Sequence, residues 1–281
     1  MISILSEAEE SRNLISELIH FFTDQGISKG LAIAYLVVLG LVLVMGIICL
    51  IMWIRVCGKY YKNNKVAIST GRSSFDVARE ALNRCGLQNI EVKRSGFIRA
   101  WIFGNSYSVL RKTIFLRRRI ADKNSLTAVG IALQKVGVAK LCEGDMKAAK
   151  ARYFLQLIGL FGPFLFLPIM LIGAVVDLIL FQHYGTISIA SLAVSGAILA
   201  VGFVATLLNI PVEKKANEMA LEMIDESKVC TEEEKEQIAG ILKAYLVAYI
   251  CDFILTVLRI LLFILEILMK VQGNRGGSSN N

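Results

Sequence analysis

Side chains able to do chemistry are few in this 281-residue sequence, and they are scattered. Only two histidines are present, His20 and His183, which excludes a metal site built on several imidazoles. The six cysteines, Cys49, Cys57, Cys85, Cys142, Cys230 and Cys251, form no C-x-x-C pair, so neither a zinc knuckle nor a disulfide framework is indicated. They read as reduced or buried thiols. No P-loop, G-x-S-x-G or dinucleotide fingerprint occurs. Three ionisable residues, Asp177, Asp252 and Arg259, stand in or near apolar stretches, where a charge is a functional suspect by default. Asp252 and Arg259 are seven apart and fall on one helical face, about 10 Å apart along the axis. They can pair directly or through Asp177. Because no series of further acids or histidines continues from them, a structural ion pair is favoured over an ion path.

The elements that must position these residues are largely apolar helices. The composition is 55% hydrophobic and 19% charged, and the mean hydropathy is +0.60. Soluble domains carry about 25% charged residues, so the balance points to a membrane protein and away from disorder. A helix crosses a bilayer core of about 30 Å with about 20 apolar residues. Four stretches qualify, at 31–54, 154–181, 187–210 and 241–268. Pro163 and Pro168 interrupt the second.

Lys and Arg are retained on the cytoplasmic side, which sets the orientation. Residues 55–152 hold 21 Lys and Arg against six acids, a charge of +15, and are expected in the cytoplasm as a domain over 55–153. The segment 1–30 is acidic, suits the outside, and places Leu14, Ile15, Leu18, Ile19 and Phe22 on one face of an amphipathic helix. Residues 211–240 hold four Lys against nine acids and return to the cytoplasm, where they should attract the basic segment. A disordered tail is expected over 269–281. The whole is expected to be a multi-pass protein of the cell membrane.

Within the basic segment the pattern is mixed α and β. Ser73 or Ser74 can cap a helix that ends near Gly86, and NIEVKR (Asn89 to Arg94), FIRAWIF (Phe97 to Phe103) and KTIFLRR (Lys112 to Arg118) read as strands. NSLTAVGIALQKVGVAKLCEGD, from Asn124 to Asp145, is apolar around most of its circumference and reads as a buried helix in which Gly130 and Gly137 allow close approach. A strand followed by such a helix is the local architecture of a zincin, as an analogy of fold. Thr231 with Glu234 forms a capping box at the start of the helix entering the fourth span. Arg117, Arg118 and Arg119 lack an aromatic stacking platform, so anionic lipid headgroups suit them better than nucleic acid.

Several of these segments, in this order, resemble the bacterial membrane-bound neutral zinc metallopeptidase family of the YugP type. They are SSFDVAREALNRCGL, TIFL, NSLTAVGIALQKVGVA, PVEKKAN and ILKAYLVAY, and the likeness runs from about Tyr60 to Lys270. The resemblance implies a helix of the form NSxxAxAxAxHEVGHA whose histidines bind zinc and whose glutamate activates water, with the Glu of PVE as third ligand. An HYDP-like motif is also implied before the strand.

In this chain Gln134 stands at the first His position, Lys135 at the catalytic Glu and Val138 at the second His, while Ser106, Tyr107, Ser108 and Val109 occupy the HYDP-like motif. Glu213 alone survives among the ligand positions. Zinc catalysis needs imidazoles, thiolates or carboxylates around a cation with one open position. A Gln amide is a poor ligand, Val cannot coordinate, and the Lys135 ammonium repels a divalent cation. The expectation is therefore a pseudopeptidase without a cofactor, in which Lys135 pairs with Glu213 in place of the metal. Against it stands a plain reading of Glu213 as a cap or solvated residue after Pro211.

The fold class expected is thus an α-helical membrane protein of four spans with a cytoplasmic zincin-like α+β domain. The function expected is a binding or regulatory subunit for membrane proteins or an active paralogue, with a protein partner or a homo-oligomer implied. Two alternatives remain. One is an active peptidase with a relocated metal on Cys142, Glu143, Asp145 and Glu213, and the other is a basic scaffold that binds lipid.

Overall fold

The computed structural model describes residues 16–144, 146–155 and 186–277, with isolated positions at 169, 172–173, 175–176 and 179. It is mostly helical with one small sheet. The chain divides into two compact units, one running up to Ile51 and resuming at Cys251, the other formed by Met52–Ile250.

The first unit holds a short helix α1 (16–24), most of α2 (Lys29–Asn63) and the later part of a helix numbered α9 below. Among the described residues, α2 is the helix that is long and apolar enough to cross a membrane by length and composition. Its apolar side chains are largely exposed, Leu43 and Leu50 among them. Ile27, Ala32 and Met269 form a small core flanked by Phe22, Leu31 and Tyr35. The backbone N–H of Ser28 donates to Gln272 Oε1 at 3.0 Å. These contacts engage residues beyond 268, and α9 runs on to Gly277. The tail expected to be disordered from 269 is helical that far.

The second unit is built around α6 (Leu126–Glu143). Ser125 caps it by accepting from the Ala128 N–H, which satisfies one of the unpaired donors of the first turn. Only Ile131, Lys135, Lys140 and Glu143 on this helix escape full burial. A helix so enclosed needs neighbours on every side. They are α3 (Ser74–Arg84), α5 (Arg118–Ala121), the sheet, and α8 (Thr186–Ser227). Gly137 lets α8 come close: a Cβ there would lie 2.6 Å from the Ala216 carbonyl oxygen. At Gly130 a Cβ would lie 2.7 Å from Ile238 Cγ2 on α9 (Glu232–Gly277). Both glycines thus serve the close approach that their place on a buried helix implied.

The sheet has the order β1 (Glu91–Ser95), β3 (Thr113–Arg117), β2 (Ser106–Ser108). β1 runs parallel to β3 with Val92 opposite Ile114, and β2 runs antiparallel with Tyr107 opposite Ile114. In the central strand Thr113, Ile114, Phe115 and Leu116 are all buried. FIRAWIF, expected as a strand, is instead helix α4 (Phe97–Phe103), held between Gly96 and Gly104. Phe97, Ile98 and Trp101 fall within one arc of about 100° at 3.6 residues per turn, so the segment is as amphipathic in helical as in strand periodicity. β3 already has both edges paired, which leaves no place beside it for another strand.

The basic segment at 55–152 and the acidic segment at 211–240 share one core. Val212, Ala216, Ala220 and Ile224 of α8 are buried with the residues of α6. Ser69 donates through N–H and Oγ to the Glu234 carboxylate, at 2.7 and 3.0 Å. Glu234 also closes the capping box, accepting from the Thr231 N–H at 2.8 Å. Of the remaining expected spans, 187–210 and 241–268 lie within α8 and α9. Most of 154–181 lies outside the described residues.

Candidate functional site

All of the site lies within Met52–Ile250, and three helices build it. α6 supplies Gln134, Lys135 and Val138, one turn of helix that the burial of its other faces orients toward α8. α8 supplies Glu213. This helix passes through Pro211 without ending, so Glu213 sits in a helix interior and the reading of it as a cap is replaced. The third contributor is α7, described over 147–155, which brings Arg152.

Glu213 is the centre of the site and is only 3% exposed. Arg152 Nη2 donates to Glu213 Oε1 at 2.6 Å, and Gln134 Nε2 donates to Glu213 Oε2. Lys135 Nζ lies 3.9 Å from Glu213 Oε1. Burial pushes the Glu213 carboxyl upward, but Lys135 and Arg152 reverse the shift and hold it below the usual carboxylate range. The Lys135 ammonium is lowered, first by burial and further by Arg152, with Glu213 opposing. A lone buried carboxylate would be costly, and here two cations and an amide offset that cost.

Around this centre Tyr107, Ser108 and Glu143 make structural contacts. Tyr107 donates from its hydroxyl to Glu143 Oε1 at 2.7 Å, and Lys112 Nζ lies 3.3 Å from Glu143 Oε2. These contacts, Tyr107 foremost, lower the Glu143 carboxyl. Burial pushes the Cys142 thiol up to about 11. Ser108 Oγ and Tyr153 Oη are 3.0 Å apart. Val138 is buried and lines a cavity of about 170 Å³ beside Arg152 and Glu213. A second cavity of about 320 Å³ opens beside Gln134, Lys135 and Glu213 toward Tyr245.

Zinc does not suit this donor set. Glu213 is already engaged by cations, and its neighbours from α6 are an amide, an ammonium and an alkyl group. Among the described residues no three His, Cys, Asp or Glu gather as a metal site. Cys142, Glu143 and Glu213 are therefore not assembled as a relocated centre, and Asp145 lies outside the described residues. The same holds for Asp177 and His183. No ion pair joins Asp252 to Arg259 among the described residues.

The residue that sequence reasoning missed is Arg152. It is one of 21 cations in the basic segment, it belongs to none of the motifs, and only the packing of α7 brings it to Glu213.

The family model described as "Putative neutral zinc metallopeptidase" matches residues 37–268. No curated protein and no solved structure gives a match. With a family match over most of its length, a range that includes the helices around Glu213, this chain belongs to the neutral zinc metallopeptidase family.

Proposed function

We propose that this chain is a catalytically inactive member of its family, a pseudopeptidase of the cell membrane that works as a binding or regulatory subunit for membrane proteins or an active paralogue. One observation carries the reading: the carboxylate at the surviving ligand position is held by Arg152, Lys135 and Gln134. A side chain committed to two cations has lost the electrostatic preference for a divalent metal, and an ammonium cannot act as the general base that activates water. The proposal includes four spans, with residues 154–181, 187–210 and 241–268 joining α2. The N-terminus lies outside and the 55–153 and 211–240 segments inside, as the distribution of Lys and Arg supports.

Purified full-length protein in detergent tests this directly. Metal analysis is expected to find far less than one zinc per chain, and peptide substrates are expected to stay intact. Stoichiometric zinc that disappears in Glu213→Ala, together with cleavage, would overturn the proposal.

A lipid contact on the basic face is favoured by α4. Phe97, Ile98 and Trp101 are 87%, 71% and 77% exposed, while Arg99 from the opposite side of the helix lies over the Phe115 ring at 3.7 Å. Residues 91–119 around them hold eight Lys and Arg against one acid, Glu91. Exposed aromatics amid cations are the composition of a surface that dips into an anionic bilayer.

A further inference from the structure

The larger cavity, of about 320 Å³, is lined by donors that remain open to it. Arg117 of β3 is exposed but anchored at its base: its N–H donates to Asn105 Oδ1 at 2.7 Å, and its Nε to the Ala100 carbonyl at 3.0 Å. Its two terminal nitrogens have no hydrogen-bond partner among the described residues. Lys135 of α6 keeps 14% of its side chain exposed, and its nearest acid oxygen, Glu213 Oε1 at 3.9 Å, is beyond hydrogen-bond reach. Tyr245 of α9 is half-buried, close enough for the Arg117 charge to be felt at its phenol, and its hydroxyl makes no hydrogen bond among the described residues. Among the described residues, the polar side-chain atoms sealed off without partners belong to Arg99, Ser106, Arg152 and Asn209, none of which lines this cavity. Asn217 of α8 donates its Nδ2 to the Leu242 carbonyl at 3.3 Å, which leaves Oδ1 free to accept.

The chemistry of this lining selects a ligand. The Arg117 fork, the Lys135 ammonium and the Tyr245 hydroxyl come from three separate elements as donors to one space, and they call for an anion with several acceptor oxygens. Arg117 and Lys135 outnumber Glu213 by one charge, and both Glu213 oxygens are already engaged by Arg152 and Gln134, so a monoanion balances the lining. Asn217 Oδ1 calls for an O–H beside that anion. Phe103, Ile131, Leu242 and Leu246 complete the lining and call for an apolar part. Leu242, Tyr245 and Leu246 also belong to the apolar stretch 241–268 of α9. A phosphodiester with a hydroxyl-bearing headgroup and acyl chains, the form of phosphatidylglycerol, meets all of these demands. A cavity of this volume suits the headgroup, with the chains outside it.

We infer that the cavity lined by Arg117, Lys135, Tyr245 and Asn217 binds the headgroup of an anionic glycerophospholipid. The phosphate oxygens accept from Arg117, Lys135 and Tyr245, and a headgroup hydroxyl donates to Asn217 Oδ1. This is a single enclosed site, distinct from the broad contact offered by the outer face of α4. It deepens the proposed function by giving the binding subunit a ligand where a peptidase would hold its substrate, and it rests on the reading that cations, not a metal, neutralise Glu213.

The test is calorimetric titration of the full-length protein in neutral detergent with dihexanoyl phosphatidylglycerol, dihexanoyl phosphatidylcholine, hexanoate and inorganic phosphate. The glycerol lipid is expected to bind tightest. The choline lipid, which adds a cation and lacks the O–H, should bind about tenfold or more weakly, as should hexanoate, which lacks the phosphate, and inorganic phosphate, which lacks the chains. Tyr245→Phe removes one oxygen that has no protein partner, so the fold is kept, and it should weaken the glycerol lipid about three- to tenfold. Arg117→Gln should cost about tenfold or more. Lys123→Gln removes an exposed cation of the same basic segment outside the cavity and is expected to leave the affinity unchanged. No binding of the glycerol lipid, equal binding of any other ligand, or indifference to both Tyr245→Phe and Arg117→Gln would overturn the site. An equal loss in Lys123→Gln would also overturn it, by making the attraction diffuse. Zinc content measured on the same sample separates the two failures: absent zinc with no lipid selectivity sinks this site alone, while stoichiometric zinc sinks the reading beneath it.

Discussion

Arg152 and Glu213, separated by 61 residues, meet through a single hydrogen-bonded contact of 2.6 Å in a buried setting. The residue opposite Glu213 on the motif helix, Lys135, stands farther off at 3.9 Å. Arginine is therefore the principal counter-ion of the Glu213 carboxylate, and lysine reinforces it.

Removing Arg152 leaves the buried Glu213 without its nearest cation, with Lys135 at 3.9 Å and Gln134 as its remaining partners. Arg152→Ala is expected to destabilise the folded domain by about 3–5 kcal/mol, measured as the loss of denaturant resistance in detergent. Arg152→Met combined with Glu213→Leu and Lys135→Met should recover most of that loss, because apolar replacement of a complete buried cluster is often neutral. Behaviour of the combined variant that is simply additive would contradict the pairing.

The pH dependence has a definite sign. Glu213 has a folded pKa below its ordinary 4.5, so its stabilisation is fully present above that value and is lost as pH falls through the lower, folded value. Lys135 is also depressed, from 10.5, so the folded protein holds its proton less tightly and stability gains as pH rises toward that value. Thermal midpoints should thus climb with pH at both ends. Glu213→Gln should flatten the acid limb, and Lys135→Met the alkaline one. Unchanged limbs in both variants would refute these assignments.

Rebuilding the family motif should expose the obstacle posed by Arg152. Gln134→His, Lys135→Glu and Val138→His together are expected to bind zinc weakly while Arg152 still holds Glu213. Adding Arg152→Leu should raise zinc affinity at least about tenfold, since a competing cation leaves the third ligand. Equilibrium competition with a chromophoric chelator measures both. Equal affinities would show that Arg152 does not govern the carboxylate.

Trp101 offers a probe of the proposed lipid contact that leaves the face unchanged. The chain has two tryptophans, Trp53 and Trp101, so Trp53→Phe leaves a single probe on the exposed face of α4. Reconstituted in bilayers that contain anionic and brominated lipids, its fluorescence should be quenched and blue-shifted, and omission of the anionic lipid should diminish both effects. Emission that stays red and insensitive to bromolipid would exclude insertion of this face.

Much of the architecture was readable along the chain. Ser73, with Asp76 in the first turn, marks the start of α3, and Thr231 with Glu234 that of α9. The apolar character of Asn124 to Asp145 around most of its circumference marked α6 as a central helix, because so wide an apolar surface can be satisfied only by burial on most sides. FIRAWIF misled because its apolar residues satisfy both periodicities, and the choice between them fell to the sheet, whose central strand had no edge to offer.

What the sequence determined by itself is the membrane-like composition, the partition of basic and acidic segments, and the presence of an amide, an ammonium and an alkyl group at Gln134, Lys135 and Val138 on one helix. These are properties of side-chain chemistry and local spacing. Only the tertiary structure decided that Arg152, with no motif to mark it, would become the partner of Glu213. Such meetings depend on how helices pack across long separations in the chain, where local periodicity has no bearing and the cost of an unpaired buried charge selects the arrangement.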